Sequence, residues 1–260
     1  MPPLRPTLAI VPIALASPAD LDAALRSLVS LWSTARDAHG LVVDHGSAPG
    51  LVEQLAVATA ELGYGLERLP AGANRAAAVN AGLAVAVRDG ADALVVDPRV
   101  ELVAPSWLER MRARTDGAGR PAAVVGARLI DGDGLLEHAG MFFSLLRREF
   151  FHRFRFGPAN LPEALEPTRC PVSQSLQLIR HETLVAVGRY DEDLDAGYEG
   201  VDFCLRAFAA GLECIYEPSA VARIARDEAP EDVDARIATC NRFFRKHDSV
   251  AIGRWVPEAI

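Results

Sequence analysis

No apolar run in this sequence reaches the roughly 18 residues that a membrane-spanning helix needs. The longest candidate lies near the N-terminus, at residues 8–16. Pro12 interrupts it, Arg5 is the only basic residue ahead of it, and it runs straight into an amphipathic pattern. It reads as a buried first strand rather than the core of a signal peptide. Cysteine is also sparse, with Cys170, Cys204, Cys214 and Cys240 only. No pair has CxxC spacing and no Cys/His cluster has zinc-ligand spacing, so reduced thiols in a cytosolic protein are expected. Positive charge is short as well. A net charge of -8 and a pI near 5.3 argue against nucleic acid as a partner, which needs a basic footprint. Internal repeats, low-complexity tracts and linkers are lacking too.

What is there is a sizeable core. Half of the 260 residues are hydrophobic and 24% are charged, as in one soluble globular unit spanning 1–260. The first half alternates. Residues 7–13 read as a strand. Ser17-Pro18-Ala19-Asp20 supplies a helix start, a serine cap followed by proline at the first helical position. A strand at 41–43 ends at Asp44-His45-Gly46-Ser47. A helix over 50–62, a strand at 66–69, an Ala-rich helix over 74–87 and a strand at 93–96 follow. Strands alternating with helices of this length imply an α/β, doubly wound parallel sheet. Such sheets bind ligands beyond the carboxyl ends of their strands, where Asp44 and Asp97 fall.

The second half is less regular. Residues 121–129 read as extended, and Asp131-Gly132-Asp133-Gly134 is a turn signal. Residues 144–171 read as a long loop containing a strand, and loops of that length are usually functional. A strand at 175–179, a helix over 197–211, a strand at 212–216 and a closing amphipathic helix over 231–246 complete the chain.

Six short motifs then stand in a fixed order: Val43-Asp44-His45-Gly46-Ser47, Asn80-Ala81-Gly82, Val95-Val96-Asp97-Pro98, Glu137-His138-Ala139-Gly140, Val187-Gly188-Arg189-Tyr190-Asp191-Glu192, and Tyr198-Glu199-Gly200-Val201-Asp202. Each is weak alone. In this order they resemble glycosyltransferase family 2, particularly bacterial members that build O-antigen and related surface polysaccharides. The resemblance runs from about Leu8 to Phe244. It implies a GT-A fold with a mostly parallel central sheet and helices on both faces. It divides the chain into a nucleotide-binding half (1–100), an acceptor-side half (101–246) and a C-terminal tail (247–260). It also implies a nucleotide-diphosphate sugar as donor, uridine- or thymidine-linked, and inverting hexosyl or deoxyhexosyl transfer to a saccharide or lipid-linked acceptor. A cytoplasmic location follows, with peripheral contact at the inner membrane face left open.

The resemblance assigns roles residue by residue. Asp44 takes the place that accepts a hydrogen bond from a pyrimidine ring nitrogen, with His45 replacing the usual Asn or Asp; otherwise Asp44 is only a turn residue. Arg75 opens the Ala-rich helix, where a guanidinium and a helix N-terminus both suit a phosphate. The stretch after the fourth strand carries the family's carboxylates for Mg2+ or Mn2+, which want oxygen ligands. Here it reads Asp97-Pro98-Arg99. Asp97 remains as a weak metal candidate or ribose contact, while Arg99 puts a cation at the usual ligand position and can neutralise the diphosphate directly.

The family's base is the second acid of a Glu-Asp pair, positioned to take the acceptor's proton. Here that acid is Gly200. Glu199 beside it, or Asp202 one helical turn on, remain as candidates. Their structural alternatives are a helix-dipole partner and an i,i+4 pair with Arg206. A downstream histidine expected after the strand near Pro218-Ser219-Ala220-Val221 is replaced by Arg223 or Arg226. Loss at metal stretch, base and histidine together fits either metal-independent catalysis or a catalytically degenerate binding or scaffolding module. A nucleotidyltransferase is a weaker reading, for the expected Gly-rich, Lys-bearing loop near residues 12–16 is absent.

Three further features carry less. In 146–156, Arg153 and Arg155 alternate with Phe154 and Phe156. That period of two suggests a half-buried strand whose arginine face either is structural or meets an anionic acceptor or membrane surface. Asp191-Glu192-Asp193-Leu194-Asp195 lacks the glycine and terminal Glu of a calcium loop and reads as solvated. His138 reads as a packed histidine.

Overall fold

All seven side chains of strand β1 (Thr7–Ile13) are buried, because the strand lies in the middle of the sheet. Alternate residues face two separate cores: Leu8 and Ile10 one, Ala9, Val11 and Ile13 the other. Pro12 is tolerated there. β1 pairs one neighbour along its whole length but the other only through Ile10, so one edge at Pro12 carries no ladder. The computed structural model describes residues 5–115, 121–194, 197–226, 233–247 and 252–255.

The first half continues with α1 (Pro18–Thr34), β2 (Ala38–Asp44), α2 (Pro49–Glu61), β3 (Gly65–Arg68), α3 (Arg75–Arg88) and β4 (Asp92–Val96). The α1 start matches the sequence signal: Ser17 and Asp20 form a reciprocal capping box with Pro18 just inside. β1 pairs β2 and β4 in parallel, and β2 pairs β3 in parallel. α3 lies close on β1, since a Cβ on Gly82 would meet Ile10 side-chain carbons at 2.5–2.9 Å. The Asn80 amide clamps the 190–192 segment, accepting from Tyr190 N (2.8 Å) and donating to Glu192 Oε1 (2.8 Å). Both residues of that motif are thus used in packing.

The second half comprises β5 (Val100–Glu101), α4 (Trp107–Thr115), β6 (Val124–Ile130), β7 (Leu136–His138), β8 (Met141–Ser144), β9 (Glu149–His152), β10 (Thr168–Arg169), β11 (Leu176–Ile179), α5 (His181–Val187), α6 (Tyr198–Ala209), β12 (Cys214–Ile224) and α7 (Val233–Lys246). The main sheet runs β10-β12-β6-β11-β4-β1-β2-β3, with β5 and β7 on β12 and β6. β11 is antiparallel to both β4 and β6, so the sheet is mixed while its N-terminal half stays parallel. α1 and α4 cover one face, and α3, α6 and α7 the other.

Several sequence expectations change. β12 does not stop at 216. It continues past Pro218 by shifting register between Glu217 and Val221, a bulge that spares the ladder a missing N–H. The expected strand through 153–156 ends at His152, where the chain turns. Part of the tail is core: Ile252 and Trp255 are buried, and Trp255 O accepts from Phe143 N. Asp195 lies outside the described residues. Among the described residues no helix is long and apolar enough to cross a membrane.

Candidate active site

The carboxyl ends of β2 and β4 and the start of α3 meet at one edge of the sheet. Asp44, the last residue of β2, is buried. Its Oδ1 accepts from Gly46 N (3.2 Å) and Ser47 N (2.8 Å), while Arg68 Nε lies 3.3 Å from Oδ2. Burial would raise this carboxyl, but the Ser47 and Gly46 bonds and Arg68 outweigh it and hold the group ionised. Oδ1 thus builds the turn. Among the described residues, Oδ2 meets only the outer, largely exposed Arg68.

Asp97 follows β4. Its Oδ1 accepts from Arg99 N (3.0 Å) and Arg99 Nε (3.0 Å), and its Oδ2 from Arg99 Nη2 (3.2 Å). Arg75, first residue of α3, adds a second cation with Nη2 3.7 Å from Oδ2. Burial opposes ionisation of Asp97, but the charge of Arg75 and the bonds and charge of Arg99 keep the carboxyl below its ordinary value. Both oxygens are therefore engaged by guanidinium. A divalent cation needs several open oxygen ligands, and this arrangement offers one carboxylate already neutralised by two arginines. As placed, these residues do not fit Mg2+ or Mn2+; Asp97, expected as a weak metal candidate, is here the partner of two arginines. Among the described residues no group of three His, Cys, Asp or Glu is placed to hold a metal.

Arg75 also reaches the start of α6. Its Nη1 lies 3.3 Å from Glu199 Oε1. Glu199 is 1% exposed. Gln174 Nε2 donates to the same Oε1 (3.1 Å), and Gly197 N donates to Oε2 (2.9 Å). The acid therefore serves the helix N-terminus as one alternative expected. Beside it, a Cβ on Gly200 would overlap Gln174, with Gln174 Cβ at 2.9 Å and Cδ at 3.1 Å. Gln174 occupies the space a second acid would need.

Asp202 is fully buried beneath two cations and a histidine. Arg206 Nε (2.8 Å), Lys246 Nζ (2.7 Å) and His247 Nε2 (2.8 Å) surround its carboxylate. Burial opposes ionisation, yet the His247 bond and the charge of Arg206 lead the groups that bring the pKa down to about 2. The i,i+4 pair with Arg206 expected from spacing is present, and the carboxylate ties α6 to α7.

A second set of residues joins Arg99, Arg155 and Arg226, all weighed from the sequence, to Gln174, which carried no sequence signal. β5 pairs β12, and Ala225 N donates to Arg99 O (3.1 Å), which brings the end of β12 beside Arg99. Of the two arginines weighed there, Arg223 points outward, while Arg226 lines a chamber of about 190 Å³ with Arg99, Glu137, Gln174 and Gly197. Arg226 pairs with Asp131, and Arg155 Nε donates to Glu137 Oε2 (2.8 Å). The other Glu137 oxygen lies 3.4 Å from Arg226 Nε, yet the geometry makes no hydrogen bond.

His138 is packed as expected. Its Nε2 accepts from Ser173 N (3.2 Å), which leaves its proton on Nδ1 to be donated to His152 Nδ1 (3.2 Å). Burial, then Arg155, pushes His152 down to about 4, so both rings are neutral.

No family model matches the chain. Uncharacterized protein y4gI of Sinorhizobium fredii (strain NBRC 101917 / NGR234) is 29% identical over 149 residues, 52% of this chain and 15% of that protein. Three solved structures have related folds. GalNAc-T7 with UDP, GalNAc and Mn2+ matches at a TM-score of 0.65 and 16% identity, over 87% of this chain and 45% of that one. The mannosyltransferase PcManGT of Pyrobaculum calidifontis, with GDP-Man and Mn2+, matches at 0.58 and 16%, over 94% and 65%. S. aureus TarS matches at 0.57 and 14%, over 85% and 37%.

The fold is GT-A. The chain spans less than two thirds of each of these proteins, and at such identities the likeness extends to the fold alone.

Proposed function

We propose that this chain is a family 2-like glycosyltransferase unit, spanning 1–260, that holds a nucleotide-diphosphate sugar without a divalent metal. The observation that carries this reading is Arg75, which joins Asp97 and Glu199 beyond the strand ends and opens a helix toward the same point. Asp44 Oδ2 accepts a ring N–H of a uracil or thymine base. Asp97 contacts the ribose side. Arg75 and Arg99 take the diphosphate, whose bidentate geometry suits guanidinium. The GT-A fold and neighbours bound to UDP or GDP-Man support the donor part of this reading; both of those neighbours also hold Mn2+, and the metal-free part rests on the arginines around Asp97.

In the reaction so inferred, an acceptor hydroxyl oxygen bonds to the anomeric carbon as the bond from that carbon to the diphosphate breaks. The diphosphate leaves with the electron pair, stabilised by the two arginines. Glu199 takes the hydroxyl proton after Gln174 releases Oε1 and Arg75 turns from it to the diphosphate. The product has inverted configuration. Asp202, held by Arg206, Lys246 and His247, acts as a structural tie. The acceptor is a saccharide, free or lipid-linked.

One observation favours a second reading. Gln174 fills the Gly200 space and Glu199 is sealed, which suits a binding or scaffolding module that keeps the nucleotide-sugar cleft without turnover. Thermal shifts with uridine, thymidine and guanosine diphosphates and their sugars, with manganese or EDTA, test the shared part. Stabilisation by a pyrimidine nucleotide in EDTA is expected; no shift with any nucleotide sinks both readings. Nucleotide release from a bound sugar donor, lost in Glu199→Gln, then separates enzyme from module.

A further inference from the structure

A larger cavity of about 670 Å³ adjoins the Arg99 chamber, and the two share His152 and Arg155 as lining residues. Its wall combines Arg147, Arg155 and Arg236 with Phe150, Phe154 and Phe156. Across both chambers the ionised lining residues are five arginines (Arg99, Arg147, Arg155, Arg226 and Arg236) against two glutamates (Glu137 and Glu149). This concentration opposes the overall charge of -8. It does not depend on His152, which is neutral. Glu149 already pairs with Arg236 (3.0 Å) and Arg147 (3.8 Å), so an incoming anion competes with it. A cleft with an excess of one sign of charge still focuses its field on ligands of the other.

The backbone here is strained. Among described residues outside glycine, positive φ occurs at Ser106, Arg148, Phe154 and Phe156, and the last three border this cavity or its rim. Large side chains avoid φ values of +55° to +67° unless the surroundings enforce them. Here they are enforced. Phe156 N donates to Leu136 O (2.7 Å), Leu136 N to Gly157 O (2.8 Å) and Arg153 N to Gly140 O (2.9 Å). The turn sets Arg155 4.8 Å over the Phe156 ring, with Arg226 at 5.5 Å from the same ring. The Arg155 and Arg226 guanidiniums are therefore oriented before any ligand arrives. Glu137 Oε1, buried with no hydrogen bond, offers an acceptor for a ligand hydroxyl.

We propose that the joined chambers bind an acceptor saccharide bearing an anionic group, a carboxylate or a phosphate ester, with that group among Arg147, Arg155 and Arg236, its sugar ring against the phenylalanines, and its reacting end toward Arg99. This rests on the glycosyltransferase reading above. Guanidinium forks match either anion in two parallel hydrogen bonds, and the aromatic faces take the apolar face of a sugar.

The test uses the full chain at low salt, with calorimetric titration of an oligogalacturonate tetramer against its methyl ester, and of glucose 6-phosphate against glucose. One acid of either pair should bind about 10-fold tighter than its neutral counterpart, and added salt should narrow the gap. The pair showing the gap identifies the anion as carboxylate or phosphate. Arg147→Gln, at a side chain 74% exposed, and the double variant Arg147→Gln/Arg236→Gln should reduce the gap stepwise while leaving the nucleotide thermal shift intact. Equal binding of acid and neutral partner in both pairs overturns the proposal, as does a gap that survives the double variant. If nucleotide gives no shift while the acid preference remains, the glycosyltransferase reading fails and the anion site stands.

Discussion

Gln174 lies where a side chain on Gly200 would have to be, and its amide donates to the neighbouring Glu199. One residue thus blocks one acid position and occupies the other.

The two positions are coupled. Gly200→Asp alone should destabilise the fold by about 1–3 kcal/mol through overpacking. Gln174→Ser/Gly200→Asp should recover most of that loss, because the space is vacated. Urea unfolding of the single and double variants measures this. If the enzyme reading holds, nucleotide release should be faster in the double variant than in the wild type. Additive stability changes would show that the two side chains do not compete.

Asp202 provides a pH signature. Its folded pKa is about 2, below its unfolded value of about 3.9. The resulting stability, roughly 2 kcal/mol, is present above the unfolded value and lost as pH falls through about 2. Asp202→Asn should cost about 3 kcal/mol at neutral pH, because it leaves a cluster of cations without its anion. That corresponds to a fall in Tm of roughly 6–12 °C. The gap between variant and wild type should shrink between pH 5 and pH 2. A folded variant with unchanged stability and abolished turnover would return Asp202 to the chemistry.

Arg99 should set the metal dependence. Arg99→Ala should weaken nucleotide-diphosphate binding by about 10- to 100-fold, and manganese should not restore it. Arg99→Asp removes the cation and adds an oxygen ligand, so whatever binding it retains should become manganese-dependent. Calorimetric titration with UDP in manganese and in EDTA reads both. A wild type that binds UDP only with manganese contradicts the arginine assignment.

The thiols should divide three to one. Cys170, Cys204 and Cys214 are buried, and Cys240 is partly exposed. Burial pushes the Cys170 thiol up to about 12 and Cys214 higher still, so neither forms thiolate near pH 8. Native protein should react with a disulfide reagent at Cys240 alone, and at all four after denaturation. Two or more fast native thiols would contradict the packing around Cys170 and Cys214.

The parallel half was readable because its signals are local. Ser17-Pro18-Ala19-Asp20 predicts the α1 cap, and Asp44 and Asp97 mark two strand ends directly. The spacing of Asp202 and Arg206 likewise predicts their pair. The rest depends on neighbours remote in sequence. Nothing near Gln174 says that it faces Gly200, 26 residues away. The Arg153-Phe154-Arg155-Phe156 alternation mimics a strand, but hydrogen bonds to Gly140 and Leu136 turn the chain there. β12 crosses Pro218 because a bulge absorbs it. α4 and α5, nine and seven residues long, are too short for a helical period to stand out.

β11 runs against both neighbours, so its first residue, not its last, stands at the ligand edge of the sheet. Gln174 and Ser173 precede it and belong to a connecting segment rather than to the ladder. Replacing that segment leaves the register of β4, β1, β2 and β3 untouched. Changes in one short loop can therefore remodel the surroundings of Glu199 while the edge that holds Asp44 keeps its geometry.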